Sequence, residues 1–317
     1  MKELRTPTGL SVHQFVGLRS GPKLIILGAV HGNETCGTEA LQRLQREIES
    51  GEVCIEQGTL TMVPITNPLA FQLERRHGDR NLNRNMRVSD NPQDFEDSIC
   101  NVLCPMLEQH DVLIDLHSFQ APGIPFALIG ASNNTGALEP IALAKQEEGL
   151  ALRLGADRFV EGWLETYAQG VRDRQARGVE AHVDYGVGTT ETMRRSGGIA
   201  VTLECGQHAD DGAPLTAYTA IRNTLAHLGM TSDTKPKPVT EPEVIRLYQV
   251  IDRLDPDDCF TRDWLSFEEI KRGTVIAHRS DGSALTADQD GWIVFPNTKA
   301  QVDQEWFYLA KHSDRLK

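Results

Sequence analysis

Residues 24–37 read LIILGAVHGNETCG, an apolar run followed at once by a histidine and a glutamate. His31 and Glu34 are separated by Gly32 and Asn33, two residues that tolerate a sharp backbone turn. An imidazole and a carboxylate brought together by such a turn supply two of the three protein ligands of a catalytic zinc site. The stretch does not continue as the helical H-E-x-x-H pair, so a third ligand must come from elsewhere in the chain.

Three further segments share the character of the run at residues 24–30, and they lie at residues 60–65, 112–116 and 199–203. All four are short and rich in Ile, Val and Leu, which is typical of strands buried on both faces of a largely parallel sheet. Stretches with helical periodicity lie between and after them, at residues 38–49, 94–109, 138–154 and 215–228. This alternation predicts an α/β architecture in layers.

Polar side chains follow these runs where each predicted strand ends. His31 and Glu34 follow the first run, Asn67 the second, His117 the third and Glu204 the fourth. In open α/β sheets the ligand crevice lies at the carboxyl ends of the strands, so we expect these side chains to converge. His117 is therefore the predicted third metal ligand. A His, Glu, His set suits zinc but does not exclude other divalent ions.

The composition changes after Gly229. Residues 231–242, TSDTKPKPVTEP, are rich in Lys and Pro and indicate a linker. Short strand-like runs separated by turns follow it, namely IRLYQVI (245–251), GTVIAH (273–278), GWIVFP (291–296) and EWFYLA (305–310). The sequence thus predicts a catalytic α/β domain at residues 1–230, the linker, and a small C-terminal all-β domain at residues 243–317.

Composition excludes several classes of partner. The chain has 32 Lys and Arg against 45 Asp and Glu, and its charge of −13 argues against nucleic acid or an anionic membrane as the main partner. It lacks a run of about 18 apolar residues and a signal-peptide segment, so we expect a cytoplasmic protein. Six cysteines without a C-x-x-C pair fit reduced thiols better than disulfides, and Cys36 or Cys205 is an alternative ligand.

Four motifs together resemble the succinylglutamate desuccinylase/aspartoacylase family, which is related to the zinc carboxypeptidases. They are HGNE at 31–34, NLNR at 81–84, DLHS at 115–118 and the glutamate of TLECG at 202–206, in family order and with family-like spacing. The resemblance covers most of residues 20–210. It implies a zinc-carboxypeptidase-like three-layer domain with a mostly parallel or mixed central sheet.

The resemblance also implies roles for single residues. His31, Glu34 and His117 would hold one Zn²⁺ per chain, whose bound water has its pKa lowered towards neutrality. Glu204 matches the general base that takes a proton from that water and returns it to the departing amine.

The same resemblance assigns roles to arginines. Arg76, or its neighbour Arg75, corresponds to the arginine that stabilises the tetrahedral oxyanion. Asn83 and Arg84 match the pair that binds a substrate carboxylate, because a planar guanidinium can bind two oxygens. Arg194, or Arg195 beside it, corresponds to the arginine that reads a second carboxylate.

Some positions depart from the family pattern. Asn81 stands where the usual motif begins with Asp. The places of two aspartoacylase tyrosines hold Thr190 and the stretch 299–303 here. The last strands resemble instead the C-terminal domain of uncharacterised bacterial members. Substrate recognition is therefore expected to differ from that of a true aspartoacylase.

We therefore expect a zinc-dependent hydrolase that removes an acyl group from a small, anionic N-acylated amino acid or related amide. A metallocarboxypeptidase acting on peptides is the first alternative, because the same ligands and arginines serve that reaction. The second is a non-catalytic module that binds a metal or a small molecule. The presence of both Glu204 and Arg76 disfavours it, since binding alone needs neither a base nor an oxyanion partner. The sequence is compatible with a homo-oligomer without requiring one.

Overall fold

A computed structural model describes residues 6–316 of the chain. Its strands, in chain order, are β1 (His13–Val16), β2 (Arg19–Leu27), β3 (Gln57–Val63), β4 (Val112–Phe119), β5 (Phe126–Leu128), β6 (Arg158–Glu161), β7 (Ile199–Gln207), β8 (Glu243–Asp252), β9 (Cys259–Phe260), β10 (Glu268–Ile270), β11 (Val275–His278), β12 (Ala284–Thr286), β13 (Gly291–Val294) and β14 (Glu305–His312). Its helices are α1 (Cys36–Glu49), α2 (Pro68–Gln72), α3 (Phe95–Glu108), α4 (Ala144–Ala151), α5 (Trp163–Ala176), α6 (Thr189–Arg195) and α7 (Ala213–His227), with a 3₁₀ turn at Val183–Gly186.

Eleven strands form one mixed sheet in the order β1-β3-β2-β4-β7-β5-β6-β8-β14-β13-β10, and β12-β11-β9 form a separate small sheet. The four apolar runs found in the sequence become β2, β3, β4 and β7, which lie side by side and parallel. This confirms the predicted α/β class with its mixed central sheet, and the separate small sheet lies in the C-terminal part of the chain, where an all-β domain was predicted.

Strand β2 shows how the layers arise. Leu24 and Ile26 face one side of the sheet and pack in a core with Leu41 of α1 and Ile221 of α7. Ile25 and Leu27, together with Leu103 of α3, belong to the core on the other side. Successive side chains of a strand point to opposite faces, so an unbroken apolar run needs helices on both sides.

Helices α1 (Cys36–Glu49), α3 (Phe95–Glu108) and α7 (Ala213–His227) lie close to the predicted positions 38–49, 94–109 and 215–228. Asp94 caps α3 by accepting a hydrogen bond from the backbone N–H of Asp97 at 2.7 Å, as an N-terminal cap does. The predicted helix at 138–154 is shorter, and only Ala144–Ala151 is helical. The residues before it instead form an isolated bridge between Asn134 and Ile141.

The central sheet also includes strands that follow the region predicted as a linker. Residues 231–242 contain neither helix nor strand. Strand β8 beyond them pairs with β6 on one side and β14 on the other. A buried ion pair joins the two sides, because Arg174 of α5 donates from Nε to Asp252 of β8 at 2.9 Å. The division into separately folding domains stays a prediction.

Within residues 6–316, the helices are all too short or too polar to cross a membrane.

Candidate metal and catalytic site

His31, Glu34 and His117 meet at the carboxyl ends of β2 and β4. Nδ1 of His117 lies 2.8 Å from Oε2 of Glu34. Nδ1 of His31 lies 2.9 Å from Oε1 of the same carboxylate. One ligand atom from each residue lies within 4.8 Å of the others, and all three side chains are buried. The structure thus brings together the three residues that the sequence singled out.

The turn after β2 depends on Gly32. The backbone N–H of Glu34 donates to the carbonyl of His31 at 3.1 Å, which closes the turn between them. A Cβ at position 32 would lie 2.0 Å from the backbone carbon of Ala70, so only glycine fits this close approach to α2. Asn67 does not join the site, since its side chain caps α2 and donates to Glu96 at 2.9 Å.

Each histidine has a polar partner on its other ring nitrogen. Nε2 of His31 lies 3.0 Å from Oδ1 of Asn81. Nε2 of His117 lies 2.9 Å from Oδ2 of Asp115, two residues earlier on the same face of β4. Partners of this kind fix the ring orientation and leave both Nδ1 atoms facing Glu34, which is the arrangement found around metal-binding histidines.

The charges at this site attract a cation. Burial and the nearby charge of Arg76 lower the pKa of His31 to about 4. Burial opposes ionisation of Glu34, but the two imidazoles hold its pKa well below the usual range. Burial likewise disfavours the charged form of His117, and the carboxylates of Asp115 and Glu34 outweigh it and raise the pKa.

The negative charge of a carboxylate between two imidazoles is neutralised either by a proton on an imidazole or by a divalent cation bound to all three groups. Nδ1 of His31 is buried, and although Oε1 of Glu34 lies 2.9 Å away, the two atoms are not aligned as a hydrogen bond. The donor set of two imidazole nitrogens and an ionised carboxylate therefore fits a divalent cation. Cys36, the alternative ligand, instead donates from Sγ to the carbonyl of His117 at 3.4 Å.

Glu204 lies on β7 directly opposite His117 of β4. Its Oε2 atom is shielded from solvent and has no hydrogen-bond partner within residues 6–316. Burial raises its pKa to about 7, while the charge of His117 acts in the opposite direction. A carboxylate with this pKa can both accept and release a proton near neutral pH.

Arg76 and Arg84 approach the site differently. Nη1 of Arg76 donates to Oε1 of Glu34 at 2.8 Å, and half of the Arg76 side chain is exposed. Arg84 donates to the carbonyl of Asn83 at 2.7 Å and lies over the ring of Trp163, with its Cζ 5.0 Å from the ring centroid. Oδ1 of Asn83 accepts the backbone N–H of Thr189 at 2.9 Å, which fixes this loop to the start of α6.

Arg194 has a different environment from the one expected. Its Nε and Nη2 atoms donate to the two carboxylate oxygens of Glu147 at 2.9 and 3.0 Å. Nη1 donates to Glu139 at 3.0 Å, and Nη2 also donates to the carbonyl of Ala200 at 2.7 Å. Most of these donors are paired and the side chain is buried, so few donors are left for a ligand, and the role of Arg194 in reading a substrate carboxylate stays a prediction.

A cavity of about 1170 Å³ opens over the site. His31, His117 and Glu204 lie in its wall, as do Arg76 and Arg84. The C-terminal strands and loops contribute Ser266, Phe295, Asn297, Glu305 and Tyr308 to the same wall. Residues from both sides of the segment 231–242 therefore enclose one cavity.

Further residues outside the predicted set line the cavity. His208 is half-buried in the cavity wall, and its Nδ1 lies 2.8 Å from Oγ of Ser118. Its position four residues after Glu204 was the one available signal. Trp163 and Tyr308 also line the cavity, and no sequence motif marked either of them. His182 also borders the cavity, but its side chain is largely exposed beside Glu180.

Comparisons with known proteins agree with this geometry. The family model for the succinylglutamate desuccinylase/aspartoacylase catalytic domain matches residues 20–145. A succinylglutamate desuccinylase from Shewanella pealeana is 25% identical over 97% of this chain and 87% of its own length.

Solved structures share the fold. A succinylglutamate desuccinylase/aspartoacylase from Rhodobacter sphaeroides has a TM-score of 0.72 at 19% identity, covering 96% of this chain and 89% of that one. A succinylglutamate desuccinylase from Vibrio cholerae has a TM-score of 0.70 at 19% identity, covering 95% of this chain and 85% of that one.

Proposed function

Since the chain belongs to the succinylglutamate desuccinylase/aspartoacylase family, we propose that it is a zinc-dependent deacylase of small N-acylated amino acids. The observation that carries this proposal is the placement of Glu204 opposite His117, beside a carboxylate held between two imidazoles. A base and a metal-ligand set at one edge of a sheet are what hydrolysis by an activated water requires.

His31, Glu34 and His117 would hold one Zn²⁺ through two nitrogens and a carboxylate, a set typical of catalytic zinc. When bound there, zinc supplies a Lewis acid that polarises the scissile carbonyl and lowers the pKa of a water molecule. Asn81 and Asp115 keep the two imidazoles oriented through their Nε2 atoms.

Glu204 acts as the general base and then as the general acid. Its unpartnered Oε2 accepts a proton from the attacking water and later delivers that proton to the nitrogen of the departing amine. With a pKa of about 7 in the metal-free protein, the Glu204 carboxyl can both accept and release a proton near neutral pH.

Two arginines would bind the negatively charged groups of the reaction, namely the oxyanion and a carboxylate of the substrate. Arg76 lies against Glu34, so its guanidinium can stabilise the oxyanion that forms when water adds to the amide. Arg84 and Asn83 lie further along the cavity, where they anchor a carboxylate of the substrate.

The wall formed by the C-terminal strands favours a small amide over a peptide, because it adds a further side to the cavity. Incubation of the zinc-loaded protein with unstructured peptides, followed by mass spectrometry, tests the alternative. Removal of C-terminal residues would displace the deacylase proposal in favour of a metallocarboxypeptidase.

The deciding experiment compares the wild type with Glu204→Gln on N-acetyl, N-succinyl and N-formyl amino acids. We expect Glu204→Gln to retain its zinc and to lose roughly 10²–10⁴-fold in kcat, the usual contribution of a positioned acid or base. Glu180→Gln is the matched control, since Glu180 borders the same cavity but is exposed. Full activity in Glu204→Gln would refute the mechanism, and zinc binding without turnover by the wild type would favour a non-catalytic module.

A further inference from the structure

Thr202 lies two residues before Glu204 on β7, and both residues line the cavity. Their side chains project from the same face of the strand, about 7 Å apart along it. Thr202 is only 8% exposed, and its hydroxyl has no hydrogen-bond partner within residues 6–316. Buried hydroxyls nearly always have a partner, so this hydroxyl is an unused donor and acceptor in the cavity wall.

Three carboxylates share one guanidinium further back along the same wall. Arg194 donates from Nη2 to the carbonyl of Ala200, so its guanidinium lies beside the first residues of β7. Glu147 accepts from Nε and Nη2 of Arg194 at 2.9 and 3.0 Å. Nη1 donates to Glu139 at 3.0 Å and lies 3.7 Å from Oε1 of Glu191. The negative charge of this cluster therefore exceeds its positive charge.

Glu139 is the member of the cluster with an unused oxygen. Its Oε1 accepts from Arg194, whereas Oε2 has no hydrogen-bond partner among the described residues. The side chain lines the cavity and is 13% exposed, so Oε2 is open to a ligand. Burial raises the pKa of Glu139 to about 7, Arg194 opposes this rise, and Glu191 and Glu147 add to it. A second cation would relieve the repulsion that these carboxylates create.

We infer that Glu139 and Thr202 bind a cationic amine on the side chain of the substrate. An ammonium group has three donors and no acceptor, so it can donate both to Oε2 of Glu139 and to Oγ of Thr202. It also supplies the positive charge that the cluster lacks, whereas a carboxylate in the same place would be repelled.

The position of these groups also limits the size of the ligand. The spacing of about 7 Å from Glu204 suits an amine separated from the scissile amide by a side chain of a few methylene groups. The ligand class is therefore an N-acylated diamino acid. This inference rests on the proposed function, in which Glu204 acts at the amide and Arg84 anchors the carboxylate.

Calorimetric titration of the zinc-loaded protein at pH 8, where Glu139 is mostly ionised, tests the inference. Every protein used carries Glu204→Gln, so that ligands are not consumed. The probes are Nα-acetyl-L-ornithine, N-acetyl-L-norleucine and N-acetyl-L-glutamate, whose side chains are of similar length and end in a cation, a methyl group and an anion. We expect the ornithine probe to bind at least tenfold more tightly than either of the others, as hydrogen bonds between charged groups provide.

Two variants locate the amine. Glu139→Gln keeps an oxygen for Arg194, and it should weaken binding of the ornithine probe at least tenfold while leaving the norleucine probe unchanged. Thr202→Val has nearly the same shape, and it should weaken the ornithine probe about three- to tenfold. Glu180→Gln is the matched control for the loss of a negative charge, because Glu180 borders the cavity but is exposed.

Equal binding of the ornithine and norleucine probes, no binding of any probe, or an unchanged preference in Glu139→Gln overturns the inference. Tightest binding of the glutamate probe also overturns it, and favours instead the role of Arg194 in reading a carboxylate. Turnover by the protein with Glu204 intact is measured separately, so absent hydrolysis with the expected binding pattern refutes the proposed function alone.

Discussion

Nε2 of His31 lies 3.0 Å from Oδ1 of Asn81, fifty residues later in the chain. The other histidine of the site, His117, has the carboxylate of Asp115 in the corresponding place. An amide oxygen orients an imidazole as a carboxylate does, but it adds no negative charge. The two imidazoles also differ in pKa: burial and the charge of Arg76 lower that of His31, whereas Asp115 and Glu34 outweigh burial and raise that of His117.

Asn81→Ala is expected to weaken zinc binding about 10–100-fold, as the loss of an orienting partner does. Asn81→Asp is expected to strengthen it, because a carboxylate makes the ring a better donor. Competition with a chelator measures both affinities, and Asn91→Ala in the exposed part of the same loop is the control. An unchanged affinity in Asn81→Ala would show that this contact does not support the metal site.

Arg194→Ala is expected to destabilise the fold rather than to alter substrate affinity. Its removal leaves Glu147 and Glu139 without the cation that neutralises them, and such a loss costs about 3–5 kcal/mol. Urea unfolding measures the change. Arg195→Ala, at a more exposed side chain next to it, should change stability by less than about 0.5 kcal/mol. A variant of normal stability with a raised KM would restore the substrate-reading role.

Glu139 makes the stability of the protein depend on pH. Burial raises its pKa from 4.5 to about 7, with Arg194 opposing and the carboxylates of Glu191 and Glu147 adding to the rise. The folded state then holds a proton that the unfolded state releases, so this contribution to stability falls as pH rises from about 4.5 to 7. The loss is on the order of 2–3 kcal/mol.

In Glu139→Gln this dependence disappears, because the amide does not titrate. Relative to the wild type, the variant should therefore gain stability between about pH 5 and pH 7 in urea unfolding, and the difference should level off above the folded-state pKa. A constant difference between the two proteins over that range would show that Glu139 ionises normally in the folded state.

A chain ending at residue 230 is expected not to fold cooperatively. Truncation removes β8 from the edge of β6, and it exposes Phe126 and Val160, which pack against Ile245 and Leu247. Thermal unfolding followed by circular dichroism compares the truncated chain with the full one. A sharp transition in the truncated chain would instead establish residues 1–230 as an independent domain, as the composition of residues 231–242 suggests.

Much of this protein could be predicted from local sequence. Apolar runs before His31 and His117 identified strands buried on both faces, because a strand that is covered on both faces carries apolar side chains on each of them. The turn at Gly32 was also predictable, since it depends on residues adjacent in the chain. Glu204 followed from its place at the end of a similar run.

Other features depended on packing between distant segments. Arg194 had the right spacing for substrate recognition, but the tertiary structure surrounds it with Glu139 and Glu147, whose positions no local pattern specifies. The strands after residue 242 looked like a separate unit because nothing local reveals that β8 pairs with β6.

The convergence of His31, Glu34, His117 and Glu204 could be predicted from local sequence, because residues at the ends of adjacent parallel strands share one edge of the sheet. Which arginines have unpaired donors could be read only from the folded chain. Arg84 has no carboxylate partner within residues 6–316 and lies over the ring of Trp163, while Arg194 is paired with Glu147. The availability of a charged side chain depends on all its neighbours in space, and those come from segments far apart in the chain.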